Sequence, residues 1–451
     1  WYESGGPTVR IVIVGAGEVG STTAESLAGE HDVVVVDIDS ERVESLNYEL
    51  DVLPIQGDAT DMETLEEAEV GDSDLLIACT DDDKTNIVAC EIAKVCGDVF
   101  TIARTKSPKY LGPWERNNRA FGVDFMVCTD LLAAETIVGV TGLPTAQDVD
   151  TFADGLVQMT EFEIPAGSPV ADQTIVEADR FDSLTFVGLL RDGEVIVPRG
   201  ETQLRAGDDV VAIGSPESMR AFSAAVAPED DGPQDIVIVG GGEIGYQTAR
   251  LLEERGFSPR LVEQDDERAR WLAEKLPGTT VLNGDATNQT LLEQENVGGA
   301  DVLVVALEND QQNLLVTLLG GRLGAGRTIA VVETVDFVEL FETVGVDVAV
   351  SPRNVTAEEI TRFTRSRRAE NVAIIEGDQA EVLEFQVGPD SILLDRPIRE
   401  AAVDFPEGVV IGAIARDGEF VTPRGDTVIR ENDSVVVFAE ADAFTAVAEQ
   451  M

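Results

Sequence analysis

Residues 11–20 read IVIVGAGEVG, and residues 236–245 read IVIVGGGEIG, the same pattern 225 positions later. Each begins with four consecutive β-branched residues, which suits a strand buried on both faces of a sheet. Each then delivers three glycines in the spacing GxGxxG: Gly15, Gly17 and Gly20 in the first, Gly240, Gly242 and Gly245 in the second. In that spacing the glycines allow a tight turn, close approach of backbone to an anion, and close packing of the following helix on the strand. Glu18 and Val19, with Glu243 and Ile244 in the repeat, would start that helix. Its unpaired N–H groups and dipole favour a phosphate.

Working outward, the repetition continues. GDAT at 57–60 returns at 284–287, and DLLI at 74–77 returns as DVLV at 301–304. TIA at 101–103 matches 328–330, GVD at 122–124 matches 345–347 after a short deletion, and PRG at 198–200 matches 423–425. So many ordered matches at a nearly constant offset define a unit of about 225 residues used twice. In the first portion of each unit, apolar strands alternate with amphipathic helical stretches, the rhythm of a parallel α/β sheet. Strands are expected at 9–14, 33–36, 53–56, 75–78, 100–103 and 125–127, followed by a bridging helix at 131–141, mirrored at 356–366. The second portion carries strands at 156–163, 185–191, 194–196 and 209–213, with RDGE turns at 191–194 and 416–419. The expected fold is therefore two tandem Rossmann-like parallel-sheet lobes, each followed by a small α+β lobe. The boundaries are 8–142 and 143–227 in the first unit, 235–368 and 369–451 in the second, and the acidic linker is 228–234.

The chemistry follows from what borders the glycines. Asp37 ends the second strand 20 positions after Gly17, placed to accept hydrogen bonds from an adenosine ribose, and Glu263 repeats it. A carboxylate there opposes a 2′-phosphate, so NAD is expected over NADP. Asp58 and Ala59 follow the third strand, with Asp285 and Ala286 in the repeat. Asp58 either meets the adenine or ribose edge or forms a turn and cap for a helix at 62–67. Thr80 opens TDDD after the fourth strand, where the far half of a ligand would lie and where the aspartates suit a helix cap. Arg104 ends the fifth strand beside the expected phosphate, whereas Val331 holds the matching place in the repeat. The second site is thus expected to bind polyphosphate more weakly, or to take a different ligand.

Composition narrows the setting. Of the 451 residues, 43% are apolar, and mean hydropathy is +0.02. No uncharged apolar run approaches the roughly 18–20 residues a membrane span needs. Asp and Glu number 86 against 32 Lys and Arg, a net charge of −54, with Lys only at 84, 94, 106, 109 and 275. A self-repelling surface of this kind is tolerable where salt screens it, which points to the cytoplasm of a halophile and away from nucleic acid. Cys79, Cys90, Cys96 and Cys128 form no CxxC, and the sole histidine, His31, lies in a loop, so neither zinc nor a catalytic histidine is expected. The basic run Arg362, Arg365, Arg367 and Arg368 reads as ion pairing against acidic neighbours. Residues 1–8 stand outside the pattern and are read as a scar, a trimmed remnant or an arm.

Together these residues resemble the TrkA family, cytosolic regulatory subunits of Trk-type potassium uptake systems built from tandem RCK units. The resemblance rests on IVIVGAGEVG, Asp37, GDAT at 57–60, TDDDKTN at 80–86, TIAR at 101–104 and PRGETQLRAGDDVV at 198–211. It implies four two-unit chains, a tetramer forming an eight-lobed ring, docked peripherally on the inner membrane face beneath a TrkH-like potassium-translocating subunit. It also implies NAD(H), or ATP and ADP, in the Rossmann-like lobes as the controlling ligand. Two alternatives are an NAD-dependent dehydrogenase, for which the small repeated lobes offer no proton-transfer histidine, and the gating ring of a potassium channel.

Overall fold

The computed structural model describes residues 9–443 apart from 30, 117–119, 144, 192, 229–232, 366–370, 376–378, 389–390, 402, 404, 407 and 441–442. Residues 1–8, most of the expected linker, and Arg367 and Arg368 therefore lie outside the described residues.

The chain folds into two compact units that do not follow chain order. One contains residues 1–137 and 235–361, and the other contains 138–234 and 362–451. Like lobes are thus grouped with like.

In the first unit each lobe is a six-stranded parallel sheet. From edge to edge the first runs Leu53–Gln56, Asp32–Asp37, Arg10–Val14, Leu75–Ala78, Phe100–Thr105, Phe125–Cys128. The second runs Thr280–Asn283, Arg260–Glu263, Ile236–Val239, Val302–Val305, Arg327–Val331, Val348–Val350. This is the doubly wound order, whose switch point falls between the glycine-loop strand and its neighbour across the sheet, Leu75–Ala78 or Val302–Val305. The central strands are buried along their length apart from Arg10 at the start of the first, because helices cover both faces. The helices Thr129–Thr141 and Pro352–Arg365 begin two and four residues before the expected starts at 131 and 356.

The second unit holds two five-stranded antiparallel sheets. One is ordered Glu194–Ile196, Leu184–Arg191, Asp209–Gly214, Val157–Glu163, Ala146–Phe152, and the other Asn371–Ile375, Ala380–Gln386, Ser434–Glu440, Val409–Arg416, Glu419–Val421. The edge strands Ala146–Phe152 and Asn371–Ile375 were not expected. The first carries Asp148 and Asp150 in a mostly half-buried run, so its apolar alternation is weak. Phe152, Met159, Val187 and Ile213 from one sheet form a single core with Val382, Ala413, Val436 and Phe438 from the other. Close approach requires glycine at the contact. A Cβ on Gly188 would stand 3.1 Å from Phe438, and one on Gly412 would stand 2.5 Å from Ile213.

Candidate functional site

The first glycine loop is held open by its own backbone. Gly15 has φ +104°, and a side chain there would stand 3.0 Å from the backbone nitrogen of Thr80. A Cβ on Gly20 would fall 1.8 Å from the carbonyl oxygen of Gly15, so only glycine lets the helix Glu18–Ala28 start this close to the strand. Gly17 differs: it sits at the N-cap with no side-chain cap, and the nearest atom to a Cβ is Arg42 Nη1 at 3.5 Å. The helix N-terminus is left facing the cavity. Val19 and Glu18 follow on the cavity wall.

Asp37 is 8% exposed, and its carboxylate braces the loop, accepting from Ala16 N at 2.5 Å and Asp39 N at 2.8 Å. Beside it Ile38 is 68% exposed at the cavity mouth, an apolar surface of the kind a purine ring covers. Asp58 accepts from Thr60 N (2.9 Å) and Thr60 Oγ1 (2.7 Å), and these bonds lower its pKa, the hydroxyl most. It therefore forms the turn, while the cap of Met62–Glu67 is Asp61. Of the two roles expected for Asp58, the cap is set aside; the side chain does line the cavity, with Ala59 beside it.

At the opposite wall Asn86, fully buried, joins the ends of two strands. Its Oδ1 accepts from Thr80 N and Oγ1, and its Nδ2 donates to Thr80 O and Arg104 O, all within 2.7–2.9 Å. Asn313 makes the same clamp in the second lobe, to Leu307 and Val331 O. The sequence repeat displayed this asparagine, but its role needed the strand ends in space. Asp82 caps the helix Asp83–Cys96, as expected of that run. Arg104 is 6% exposed; Nε donates to Thr129 Oγ1 at 3.0 Å and Nη1 to Asp81 Oδ1 at 3.0 Å. Burial works to raise the Asp81 pKa, but the hydrogen bond and charge of Arg104, helped by Arg353 and Arg42, hold it below the ordinary value.

These groups enclose a cavity of about 460 Å³, within the range of small-molecule sites. Three guanidinium groups line it: Arg42, Arg104 and Arg353. Arg353 comes from the other sequence repeat, at the start of Pro352–Arg365, and pairs with Glu18 at 2.5 Å. Burial works against its cation, and Glu18, Asp81 and Glu333 more than restore it, so its pKa is raised. Neither Arg42 nor Arg353 was singled out from sequence for this site.

The second loop keeps the frame and changes the lining. Gly240 has φ +102°, a Cβ on Gly245 would lie 1.9 Å from Gly240 O, and Gly242 is an uncapped N-cap ahead of Glu243 and Ile244. Glu263 accepts from Gly241 N at 2.8 Å and Asp265 N at 2.7 Å, as Asp37 does in its lobe. Asp285 repeats the Asp58 turn through Thr287, with its pKa likewise lowered, and Ala286 is buried beside it. Arg268, however, donates to Gly241 O at 2.7 Å and stacks 4.3 Å above Trp271. Val331 is buried where Arg104 stands in the first lobe. The residue matching Arg353 is Asp130, whose carboxyl is pushed up to about 7 by burial, with Glu243 and Glu333 adding to the rise against Lys106 and Arg104. The second loop thus lacks counterparts of the first site's Arg104 and Arg353 and keeps an arginine, Arg268, at the place of Arg42.

Burial raises the thiol pKa of Cys79 to about 12 and of Cys128 to about 11, so neither acts as a thiolate. Arg362 of the basic run pairs with Asp150 at 3.0 Å, in line with the ion-pairing expectation. No helix among the described residues is long and apolar enough to cross a membrane.

Comparison with known proteins is consistent across the chain. The TrkA-N domain matches residues 11–129 and 236–352, and the TrkA-C domain matches 159–227 and 382–451. The Trk system potassium uptake protein TrkA homolog of Archaeoglobus fulgidus is 36% identical over 441 residues, covering 98% of this chain and 99% of that protein. TrkA homolog 1 of Methanosarcina mazei is 35% identical over 447 residues, covering 97% and 99%. Among solved structures, the GsuK channel bound to NAD has a TM-score of 0.63 at 20% identity, covering 100% of this chain and 80% of that one. That likeness concerns the fold.

Proposed function

The chain belongs to the TrkA family, and on that premise we propose that it is a cytosolic regulatory subunit of a potassium uptake system whose first glycine-loop pocket senses a nucleotide. The observation that carries the nucleotide assignment is the pocket itself: an uncapped helix N-terminus, the Asp37 carboxylate and the buried Arg104 around one cavity. NAD(H) or an adenine nucleotide would lie with its ribose at Asp37, its purine against Ile38 and its phosphates between the loop and Arg104. The domain limits read from the sequence serve this reading as four lobes, two per unit. The membrane partner is a TrkH-like potassium-translocating subunit. Four chains would supply eight Rossmann-like lobes to a ring held at the inner membrane face. A ligand biases such a ring only through its different affinity for two conformations, and coupled copies amplify a modest difference. The second site, where Val331 stands in place of Arg104, takes polyphosphate weakly. The charge of −54 supports a salt-rich cytoplasm. The reading gives the chain no catalytic step.

The test is thermal-shift titration in concentrated KCl with NAD, NADH, ATP and ADP, on wild type, Gly17→Asp, Gly242→Asp and Arg104→Gln. Gly17 and Gly242 have no atom closer than 3.5 Å to a new Cβ, so the aspartates place charge at the helix N-termini without breaking the loops. A ligand at a hundred times its Kd stabilises by about 2.7 kcal/mol. That response should vanish in Gly17→Asp, weaken in Arg104→Gln and survive in Gly242→Asp. Retention of the full response by Gly17→Asp refutes the first-pocket nucleotide sensor.

A further inference from the structure

The second glycine loop carries a stacked group that the first lacks. Tyr246 and Trp271, from the helices Glu243–Glu254 and Asp266–Lys275, pack with ring centroids 5.0 Å apart. Arg268 lies against both, its guanidinium 4.3 Å from the Trp271 ring and 5.9 Å from that of Tyr246. The same guanidinium donates from Nε to Gly241 O at 2.7 Å and from Nη2 to Gly242 O at 3.3 Å. A planar cation is thus fixed beside the loop by hydrogen bonds and by an aromatic ring. In the first repeat Arg42 holds the corresponding place, but Ser21 and Ser45 stand where Tyr246 and Trp271 do. Arg42 pairs with Asp39 at 3.9 Å, with 51% of its side chain exposed.

At the far end of this site the reinforcement present in the first pocket is gone. Val331 replaces Arg104, and Asp130 takes the place of Arg353. Glu243 and Glu333 are close enough to Asp130 for both charges to act on it, and Arg353 lies 3.9 Å from Glu333. What remains is the frame for a nucleoside end. Gly242 is an uncapped N-cap for one phosphate, Glu263 stands at the ribose position, and the Arg268 guanidinium lies beside them. A second or third phosphate would extend toward Val331 and Asp130, where neither side chain offers a cation.

A guanidinium plane stacks on a purine as it does on an aromatic side chain. One that is already held in place binds without the cost of ordering a long side chain. Arg268 is half-buried, so surface remains for a ligand to cover. Resting on the reading of these loops as nucleotide sites, we propose that the second loop is a purine nucleoside monophosphate site in which Arg268, locked by Trp271, is the base-binding residue. It takes AMP, ADP and ATP alike, because nothing beyond the first phosphate is held. The first pocket then reads the phosphate end of a nucleotide, and the second reads its base end.

The test is calorimetric titration of the full chain carrying Gly17→Asp, which blocks the first pocket, with AMP, ADP and ATP at one fixed KCl concentration. The three affinities should agree within about threefold, a comparison that needs no second substitution. Adding Arg268→Gln should weaken all three by about tenfold, the scale of one lost base-stacking contact. Trp271→Ser should do the same, and Trp271→Phe, which keeps a ring under the guanidinium, should restore most of the loss. ATP binding at least tenfold tighter than AMP, or AMP affinity unchanged by Arg268→Gln, overturns the inference. No AMP heat in Gly17→Asp, with the wild-type ATP response intact, overturns it too and leaves the first pocket standing. Absence of any nucleotide heat in the wild type overturns both.

Discussion

Replacing Asp130 by Asn should stabilise the protein, and by an amount that depends on pH. Asp130 is 4% exposed, and burial with the charges of Glu243 and Glu333 lifts its carboxyl from 3.8 to about 7, against the pull of Lys106 and Arg104. A carboxyl whose pKa is higher folded than unfolded binds its proton more tightly in the folded state. Folding is therefore penalised as pH rises from the unfolded value toward the folded one. The penalty begins near pH 4, grows to about pH 7 and is constant above it. At 1.36 kcal/mol per pH unit the full effect is about 4 kcal/mol. Asparagine keeps the shape without the charge, so the stability gap between Asp130→Asn and wild type should widen by about 2–3 kcal/mol between pH 5 and pH 8. Paired urea unfolding curves at fixed KCl, at half-unit pH steps, measure it. A gap that is flat across this range, or a variant less stable than wild type at pH 8, refutes the burial argument.

Two further outcomes test the frame. Gly20→Ala places a methyl 1.8 Å from a backbone carbonyl and should cost about 3 kcal/mol or more. Gly29→Ala meets nothing within 4 Å, at a φ of −69°, and should be neutral or gain up to about 1 kcal/mol; equal urea midpoints for the two variants would contradict the close-packing account. Asp208, 2% exposed, accepts from Arg191 Nε and Nη2 and from Arg205 N, and Asp433 does the same for Arg416 and Arg430. Asp208→Asn and Asp433→Asn should each cost about 2–3 kcal/mol, and a loss in only one would show that the small lobes do not use the pair alike.

The glycine loops, the acid after the second strand and the Arg104–Val331 difference were all legible along the chain. Each is a short-range matter of backbone sterics, periodicity or charge at a counted spacing. The Asp58 turn was half legible: its bonds span two residues, but the choice between Asp58 and Asp61 as helix cap depended on where the helix began. The edge strand Ala146–Phe152 was not, since its register exists only against Val157–Glu163.

By itself, then, the sequence determined the duplicated unit, two glycine loops of Rossmann type, and their inequality at one arginine. Tertiary structure alone decided which lobes share a compact unit, that Phe438 packs on Gly188, that Arg268 is stacked onto the second loop, and that Arg353 enters the first pocket while Asp130 takes the matching place. The physical reason is range. A turn or a strand is selected by neighbours a few residues away, whereas Glu18 and Arg353 are 335 positions apart, and no local pattern marks either as the other's partner.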